Sequence, residues 1–458
     1  MPALPKTGRI ELQWVNKHLS LATTEAGDHQ WAASTDHRVA EVRLVNPTAQ
    51  VGRPSDNLLV RGDSAHALGS LTRLDEFRDR YRGRVRLCYI DPPFNTGETK
   101  FHHYSDAVDR SIWLTMLRDR LVQIRELLAP EGSVWVHLDD AEQHRARCVL
   151  DEVFGADAFV ATIIWQKRTS RDNRKSFSSM HDYIHVYAPL GPVAWKKLRN
   201  ALPDDGAFAN PDGDPRGPWR SVPLSVQAGH ATAAQFYTVV SPAGVAHDPP
   251  PGRCWAYSRQ RLQELIEAGR IYWPKGGHGK PRLKRYRDEA TGLAPFTIWG
   301  ADEVGDNASA KKALLAAFPG QPAFDTPKPE GLLERIVHVA TDPGDLVLDC
   351  FLGSGTTAAV AHRMGRRWIG VERNPVTVAN FALPRLQSAV ERAPDGPGFA
   401  VVDVCPSMYE TDDSGQLRLA SWVTDTRLVA ATAAQLGYPV DPEGPFAGRR
   451  GQRRLAVI

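Results

Sequence analysis

The chain has 458 residues, of which 42% are hydrophobic and 24% carry a charge. These proportions match the averages of globular domains and exclude a disordered, collagenous or fibrous chain. The net charge of +3, from 56 basic and 53 acidic residues, is too small to indicate a partner. At roughly 150 residues for each domain, the length suggests two or three domains.

The cysteines and the hydropathy pattern limit the class of protein further. The five cysteines include no Cys-x-x-Cys pair, so neither a zinc ribbon nor a disulfide framework is supported, and we predict no metal site. No apolar stretch approaches the ~20 residues that a membrane-spanning helix needs. The amino terminus shows no secretory signal. We therefore expect no membrane partner and a cytoplasmic location.

From residue 57 to residue 159 the chain alternates short β-rich runs with amphipathic helices. Val85–Ile90 is a predicted buried strand, which Asp91-Pro92-Pro93 ends because proline cannot continue a central strand. Ile112–Leu128 has apolar residues at helical spacing, and we expect Pro130 and Gly132 to end that helix. Alternating apolar residues at positions 134, 136 and 138 predict a second strand.

The same pattern returns near residue 346. Leu346–Asp349 and Trp368–Val371 are predicted strands, and Thr356–Met364 between them is a predicted helix. A strand, a glycine loop, a helix and a second strand make a βαβ unit. The sequence therefore predicts an α/β fold with a mostly parallel, Rossmann-like sheet.

A glycine loop joins the first of these strands to the helix. It reads Asp349-Cys-Phe351-Leu-Gly353-Ser-Gly355-Thr-Thr, and the two glycines allow a sharp turn and a close backbone approach to a ligand. About twenty residues beyond Asp349 the next strand ends at Glu372, where a carboxylate can accept both hydroxyls of a ribose. The third glycine of the dinucleotide motif is missing. The loop therefore suits a nucleoside without a pyrophosphate, such as S-adenosylmethionine.

The segment Asp91-Pro92-Pro93-Phe94 stands where a parallel strand ends, the edge at which ligands bind in open α/β sheets. The prolines fix the backbone and remove two N–H donors. The Pro92 carbonyl and the Asp91 carboxylate can then form a rigid pair of acceptors for an exocyclic amine, absorbing the positive charge that develops on it. Phe94 offers an aromatic face to a base that has left the duplex.

At these motifs the sequence resembles the amino-methylating DNA methyltransferases of the β arrangement, in which an Asp-Pro-Pro-Tyr segment precedes the cofactor loop. It most resembles the modification subunits of type III restriction-modification systems. The matching stretches lie between residues 57 and 380: Asn57–Ser64, Tyr89–Gly97, Trp135–Asp140 with Glu142, Thr326–Pro329 and Leu348–Thr357.

The resemblance implies a role for each matching residue. The target amine would be bound and activated by Asp91, Pro92, Pro93 and Phe94. The resemblance also implies that S-adenosylmethionine lies in a pocket formed by Asp349, Phe351, Gly353 and Gly355, with Glu372 on its ribose, Asp63 on its adenine, and Thr326 and Lys328 at its methionine end. The role of Lys328 rests mostly on the resemblance.

The target atom follows from chemistry and from the same family. Methylation of a ring carbon needs a cysteine nucleophile, usually after proline, and the chain has no Pro-Cys dipeptide. We predict methylation of adenine N6, with cytosine N4 as the alternative; a catalytically silent DNA-binding specificity subunit and an RNA substrate are further alternatives. Phe94 replaces the usual tyrosine, which keeps stacking but loses a hydroxyl. The chain is also shorter than typical type III modification subunits.

The region between the two halves of the predicted catalytic domain resembles the family's target-recognition region, and basic and aromatic residues increase there. Double-stranded DNA is the predicted partner, and a homodimer or a restriction partner subunit is left open. The expected phosphate contacts are Lys167, Arg168, Arg171, Lys280, Arg282, Lys284 and Arg285. The predicted regions are an amino-terminal extension (1–56), a catalytic half (57–163), the target-recognition region (164–324), a cofactor-binding half (325–392) and a carboxy-terminal extension (393–458).

Overall fold

The computed structural model of the protein describes residues 10–23, 29–97, 109–174, 176–204, 206, 208–290, 292–320, 324, 326–412, 414–441 and 446–457. The chain forms two compact units. The main unit comprises residues 1–200 and 296–458, and the inserted unit comprises residues 201–295.

The main unit is built on a ten-stranded sheet. In chain order the strands are β1 (Val45–Val51), β2 (Leu58–Arg61), β3 (Val85–Ile90), β4 (Leu128–Leu138), β5 (Phe159–Gln166), β6 (His181–Tyr187), β7 (Ile298–Trp299), β8 (Leu346–Asp349), β9 (Arg367–Glu372) and β10 (Phe399–Val404). Their order in space is β7-β5-β6-β4-β3-β8-β9-β2-β10-β1. The six strands from β4 to β10 in this order run parallel. The predicted α/β fold with a mostly parallel sheet is confirmed.

The central strands are buried, which explains their nearly continuous apolar sequences. Every residue of β8 is buried, and all of β3 except Arg86. The main-unit helices are His37–Ala40, Ser64–Arg73, Asp75–Tyr81, Arg110–Leu127, Gln143–Phe154, Gly191–Leu198, Ala301–Val304, Asn307–Ala317, Glu330–Ala340, Thr356–Arg363, Pro375–Thr377, Leu383–Glu391 and Asp425–Leu436. Both helices predicted in this unit therefore form, with ends within two residues of the expected positions. Within the described residues, no helix has the length and apolar character that crossing a membrane requires.

The junction after helix Arg110–Leu127 differs from the prediction. β4 begins at Leu128, directly after the helix, so Pro130 and Gly132 lie inside the strand and do not separate the two elements. The pairing with β3 shifts register there, since Val85 pairs with Leu128 and Leu87 with Ser133. The extra residues form an irregularity of the kind that accommodates proline in a sheet.

The inserted unit, residues 201–295, is shorter than the target-recognition region predicted from sequence, residues 164–324. Strands β5, β6 and β7 lie within residues 164–324 or cross their boundary, yet they belong to the central sheet. Trp299, which lies within the predicted target-recognition region, is buried in β7 of the main unit. Composition shows where the sequence becomes basic and aromatic, whereas strand pairing decides where a compact unit begins.

The two predicted extensions also contribute strands to the main sheet. β1 comes from residues 1–56 and β10 from residues 393–458, and they pair antiparallel. The buried side chain of Asn57 connects this edge to the centre, because its Nδ2 donates to the Gly398 carbonyl (2.9 Å) and its Oδ1 accepts from the Trp368 N–H (2.9 Å). Smaller hairpins pair Ser20–Thr23 with His29–Ala32, Tyr409–Thr411 with Leu417–Leu419, and Gly448–Arg450 with Arg453–Leu455.

The inserted unit has a small apolar core of its own. Helix Arg259–Glu267 buries Leu262 and Leu265 in a cluster with Trp255 and Ile271. A three-stranded sheet orders Ile271–Tyr272, Arg282–Tyr286 and Trp219–Pro223, and two hairpins pair Ser225–Gln227 with Arg253–Trp255 and Val239–Val240 with Ala246–His247.

Candidate active site

Four neighbouring strands of the main sheet end in acidic residues at one edge. In the spatial order β3-β8-β9-β2, Asp91 follows β3, Asp349 and Glu372 end β8 and β9, and Asp63 comes shortly after β2. All four line one cavity of about 940 Å³, which is within the size range of ligand pockets. The two distant motifs of the sequence therefore meet at adjacent strand ends.

The side chain of Glu372 supports the glycine loop through hydrogen bonds. Glu372 Oε2 accepts a hydrogen bond from the Gly353 N–H (2.8 Å) and Oε1 accepts one from the Asn374 N–H (2.8 Å). Burial raises the pKa of this carboxyl. Each carboxylate oxygen has further acceptor capacity, so Glu372 can hold the loop and still accept from hydroxyls of a ligand.

Gly355 differs from the other loop residues that the sequence assigned to the cofactor. It is absent from the residues that line the cavity. It caps helix Thr356–Arg363 in the left-handed conformation (φ 84°), and a Cβ at this position would lie 3.0 Å from the Ala382 Cα. Gly355 therefore serves the turn and the packing of the loop against the segment that precedes helix Leu383–Glu391. The expected contact of Gly355 with the cofactor stays a prediction.

The pKa values of Asp349 and Asp63 are shifted in opposite directions. Burial raises the pKa of Asp349 to about 7, and the charges of Asp91 and Glu372 act in the same direction. Asp349 also accepts a hydrogen bond from the Phe351 N–H (3.0 Å). Burial acts to raise the pKa of Asp63 as well, but Arg120, 2.9 Å away, and other contacts lower it. Asp63 also caps helix Ser64–Arg73.

Asp91 has one paired and one unpaired carboxylate oxygen. Its Oδ2 accepts a hydrogen bond from Lys328 Nζ at 2.5 Å. Its Oδ1 is buried, and no donor among the described residues reaches it. The following turn is fixed by Trp113, whose Nε1 donates to the Pro93 carbonyl (2.6 Å). Asp91, Pro92, Pro93 and Phe94 all line the cavity.

The Phe94 ring lies near both a cation and a buried histidine. Lys328 Nζ is 5.2 Å from the ring centroid, and the His137 ring centroid is 5.9 Å from it. His137 is fully buried, with Nδ1 2.8 Å from the Tyr89 hydroxyl and Nε2 3.3 Å from Asp182 Oδ2. Burial lowers the pKa of His137, which favours the neutral ring. The sequence motif Trp135–Asp140 contained this residue, but nothing in its pattern indicated that it would lie close to Phe94.

Glu142 is a second residue that sequence reasoning left without a role. Its side chain is 1% exposed, and its carboxylate accepts hydrogen bonds from Asn95 Nδ2 (3.1 Å), Arg110 Nε (3.0 Å) and Arg145 Nη1 (3.0 Å). Asn95 follows Phe94 directly and has a positive φ of 60°. Glu142 therefore connects the end of the proline-bearing turn to the start of helix Arg110–Leu127.

Some of the side chains predicted to contact phosphate are already bonded within the protein, and others form no ion pair among the described residues. Lys284 is buried and forms ion pairs with Asp214 (2.8 Å) and Asp212, so the expectation that it contacts phosphate is corrected. Lys167 pairs with the buried Asp182 at 2.6 Å, and Arg282 donates to Ser221. No ion pair among the described residues involves Arg168, Arg171, Lys280 or Arg285, nor Arg282, whose guanidinium bonds to Ser221 instead.

The cavity fits an adenosyl ligand with a cationic end. Gly353 has a φ of 54°, in the left-handed region that favours glycine, and a Cβ there would be in ordinary contact with the Phe324 ring at 3.4 Å. Acidic side chains suit a ligand with positive charge, and Glu372 stands where ribose hydroxyls are bound in related sheets. Thr326, Lys328 and Phe351 complete the wall.

The sequence profile of the DNA methylase family matches residues 85–382. This span is more than half of the chain and contains both motifs, so the chain belongs to this family of N6/N4 DNA methyltransferases. Family membership confirms S-adenosylmethionine as the cofactor predicted from the glycine loop.

Individual relatives support the same family. The StyLTI Mod subunit, a type III restriction-modification protein of Salmonella typhimurium, is 31% identical over 68% of this chain and 50% of its own length. The EcoPI Mod subunit of Escherichia phage P1 is 27% identical over 67% and 55%. The type II methyltransferase M.EcaI of Enterobacter cloacae is 28% identical over 86% and 81%. The predicted resemblance to Mod subunits is confirmed, and the chain spans about half of their length.

Among solved structures, the PvuII DNA methyltransferase, described as cytosine-N4-specific, is similar at 14% identity over 77% of this chain and 98% of that chain. The TM-score is 0.41, a value at which the likeness carries no argument about the target atom.

Proposed function

We propose that the protein is a site-specific DNA methyltransferase that transfers a methyl group from S-adenosylmethionine to adenine N6, in restriction-modification or host defence. The buried Asp91 Oδ1 is the observation that carries this proposal, because it has no donor among the described residues and lies in the same cavity as the glycine loop. Leaving a buried acceptor unsatisfied costs about 1–3 kcal/mol. An amine of the substrate would supply the missing donor.

The residues around the cavity would have different roles in methyl transfer. Phe94 stacks on the extruded base, while Asp91 Oδ1 and the Pro92 carbonyl accept the two N–H bonds of its amine. When bound, the cofactor would supply an electrophilic methyl group, whose bond to sulfur breaks as the bond to the amine nitrogen forms, and the methylated amine would then release one proton to solvent. The Asp91 carboxylate stabilises the positive charge that develops on that nitrogen. Glu372, Asp349 and Gly353 would hold the cofactor in the same cavity.

The choice of adenine rests on Asp91, the first residue of the segment Asp91-Pro92-Pro93-Phe94. Family members with aspartate at this position mostly act on adenine. The same pair of acceptors would also suit the N4 amine of cytosine, which is the alternative target. The relatives named as Mod subunits and as a type II methyltransferase favour a role in restriction-modification. We propose double-stranded DNA in the cytoplasm as the substrate. A homodimer and a restriction partner stay predictions, which light scattering of the purified chain and co-purification on co-expression would test.

The direct test is methyl transfer by the purified full chain. It is incubated with duplex DNA and S-adenosylmethionine, and the digested DNA is analysed by mass spectrometry. We expect N6-methyladenine; N4-methylcytosine would support the alternative target, and preferential methylation of RNA would contradict a DNA substrate. Asp91→Ala should abolish transfer while calorimetry still detects cofactor binding. Transfer at the normal rate by that variant would overturn the assignment of Asp91.

A further inference from the structure

Lys328 bonds to the catalytic carboxylate rather than to the glycine loop. Among the described residues, the carboxylate that Lys328 Nζ contacts is that of Asp91, at 2.5 Å, and the same ammonium lies 5.2 Å from the Phe94 ring. The resemblance had placed Lys328 at the methionine end of the cofactor. The observed contacts connect it instead to the two residues that would receive the base.

The environment of Lys328 restricts where its ammonium can go. Pro327 and Pro329 fix the backbone on either side, and Pro329 precedes helix Glu330–Ala340, which buries Leu332, Leu333 and Ile336. The Lys328 side chain is 8% exposed. A lysine usually carries a mobile, solvated charge, so this degree of burial and constraint needs a reason.

The two oxygens of Asp91 supply that reason. Because Lys328 occupies Oδ2, the carboxylate is turned so that Oδ1, which has no donor among the described residues, is the oxygen left for a substrate. A carboxylate free to rotate would present either oxygen and would lose its alignment with the Pro92 carbonyl. Four carboxylates, those of Asp63, Asp91, Asp349 and Glu372, also line this cavity, and the fixed ammonium of Lys328 reduces their mutual repulsion.

We propose that Lys328 is a positioning residue for methyl transfer: its ammonium orients and charge-balances Asp91 so that Oδ1 accepts the target amine. The inference rests on the proposed function, since it assigns a role within the same site. It contradicts the role at the methionine end that the resemblance implied, because the two roles affect different steps of the reaction.

The test separates turnover from cofactor binding. Lys328→Met keeps the length of the side chain but removes its charge, and Lys328→Arg keeps the charge. We expect Lys328→Met to lower kcat by roughly 10²-fold, similar to the loss of one preorganised polar contact in other enzymes, with an unchanged calorimetric Kd for S-adenosylmethionine. Lys328→Arg should recover much of the lost kcat. A weakened Kd with a normal kcat at saturating cofactor would support the methionine-end role and overturn the proposal.

A second measurement guards against a general structural effect. If Lys328 acts through Asp91, Lys328→Met should add little to the defect of Asp91→Asn, because the two changes remove one shared contribution. Independent, multiplicative losses would contradict the proposal, as would a Lys328→Arg variant that folds but is as inactive as Lys328→Met. If the unmodified chain transferred no methyl group to DNA, the proposed function itself would be refuted. If the unmodified chain were active and Lys328→Met kept a normal kcat, only the role of Lys328 would be refuted.

Discussion

Glu372 Oε2 accepts a 2.8 Å hydrogen bond from the backbone N–H of Gly353, which joins the end of β9 to the loop that follows β8. The carboxylate expected to bind a ribose is thus also the support of the loop expected to surround the cofactor. Cofactor binding and loop geometry are therefore coupled, and changes in the loop should appear in the binding constant.

Gly355 and Gly365 provide a matched pair for testing the loop. Both have a positive φ, 84° and 74°, but a Cβ at Gly355 would meet the Ala382 Cα at 3.0 Å, whereas a Cβ at Gly365 would have nothing within 4 Å. Alanine in the left-handed region costs about 1–2 kcal/mol, and overpacking adds about 1–3 kcal/mol. We expect Gly355→Ala to lower the free energy of unfolding in urea more than Gly365→Ala does.

The same pair separates loop geometry from overall stability. Calorimetry should show weaker binding of S-adenosylmethionine to Gly355→Ala and unchanged binding to Gly365→Ala. Equal effects of the two substitutions on stability and on binding would mean that the close approach to Ala382 has no influence on the loop.

Asp349 predicts a pH dependence of cofactor binding. Its pKa is raised from 3.8 to about 7, mainly by burial, and a bound cation favours the ionised carboxyl. Binding should therefore release a proton below the raised pKa, and affinity should rise with pH through neutrality and then level off. Calorimetry in buffers of different ionisation enthalpy measures this release. Asp349→Asn should remove it, and proton uptake by the unmodified chain would contradict the assignment.

The same group has an effect of opposite sign on stability. Between pH 3.8 and about 7 the native carboxyl of Asp349 keeps a proton that the unfolded chain has lost. The native state then binds more protons, so the contribution of this group to the free energy of unfolding falls as the pH rises through that window. The difference in free energy of unfolding between Asp349→Asn and the unmodified chain should accordingly change in favour of the variant as the pH rises.

Glu142 is expected to stabilise the proline-bearing turn. Glu142→Gln removes the charge that two arginines share and weakens the hydrogen bond from Asn95, at a cost of about 2 kcal/mol for charged hydrogen bonds. Because Asn95 adjoins Phe94, kcat should fall as well. Urea unfolding and turnover assays measure the two effects.

An exposed ion pair serves as the control for Glu142. Glu126 lies 3.1 Å from Arg82, and both side chains are more than a third exposed. Glu126→Gln should therefore cost less than about 1 kcal/mol and leave kcat unchanged. A loss of stability in Glu142→Gln no larger than in Glu126→Gln would show that the buried contacts contribute nothing to the turn.

Binding of DNA should depend on the free cations of the inserted unit. Lys280 and Arg285 are exposed and have no ion pair among the described residues. Each should release about one counterion on contact with a phosphate, so Lys280→Ala or Arg285→Ala should reduce the slope of log affinity against log salt by about 1. Lys284→Met is the control, because that lysine is buried between Asp212 and Asp214. It should lower stability and leave the slope unchanged; the reverse pattern would contradict this division.

Much of the site could be predicted from sequence because its signals are local. The apolar run of β3 ends at consecutive prolines, and the glycines of the loop stand at fixed spacing from Asp349. Such patterns depend on a few consecutive residues whose backbone preferences are independent of the rest of the chain. They identified both motifs, and the parallel topology then brought Asp91 and Asp349 to adjacent strand ends.

The partners of individual side chains were decided by the tertiary structure. Lys328 bonds to Asp91 across 237 positions of sequence. Glu142 accepts from Asn95 and Arg110, which are 47 and 32 positions away. Lys284 is neutralised by ion pairs, while Lys280 has none among the described residues. No local pattern distinguishes these cases, because a charged side chain has the same composition and propensity whether it is buried or solvated. The sequence by itself determined the chemistry at the strand ends; burial and strand order determined which charges are paired, which oxygen of Asp91 is left for a substrate, and where the inserted unit begins.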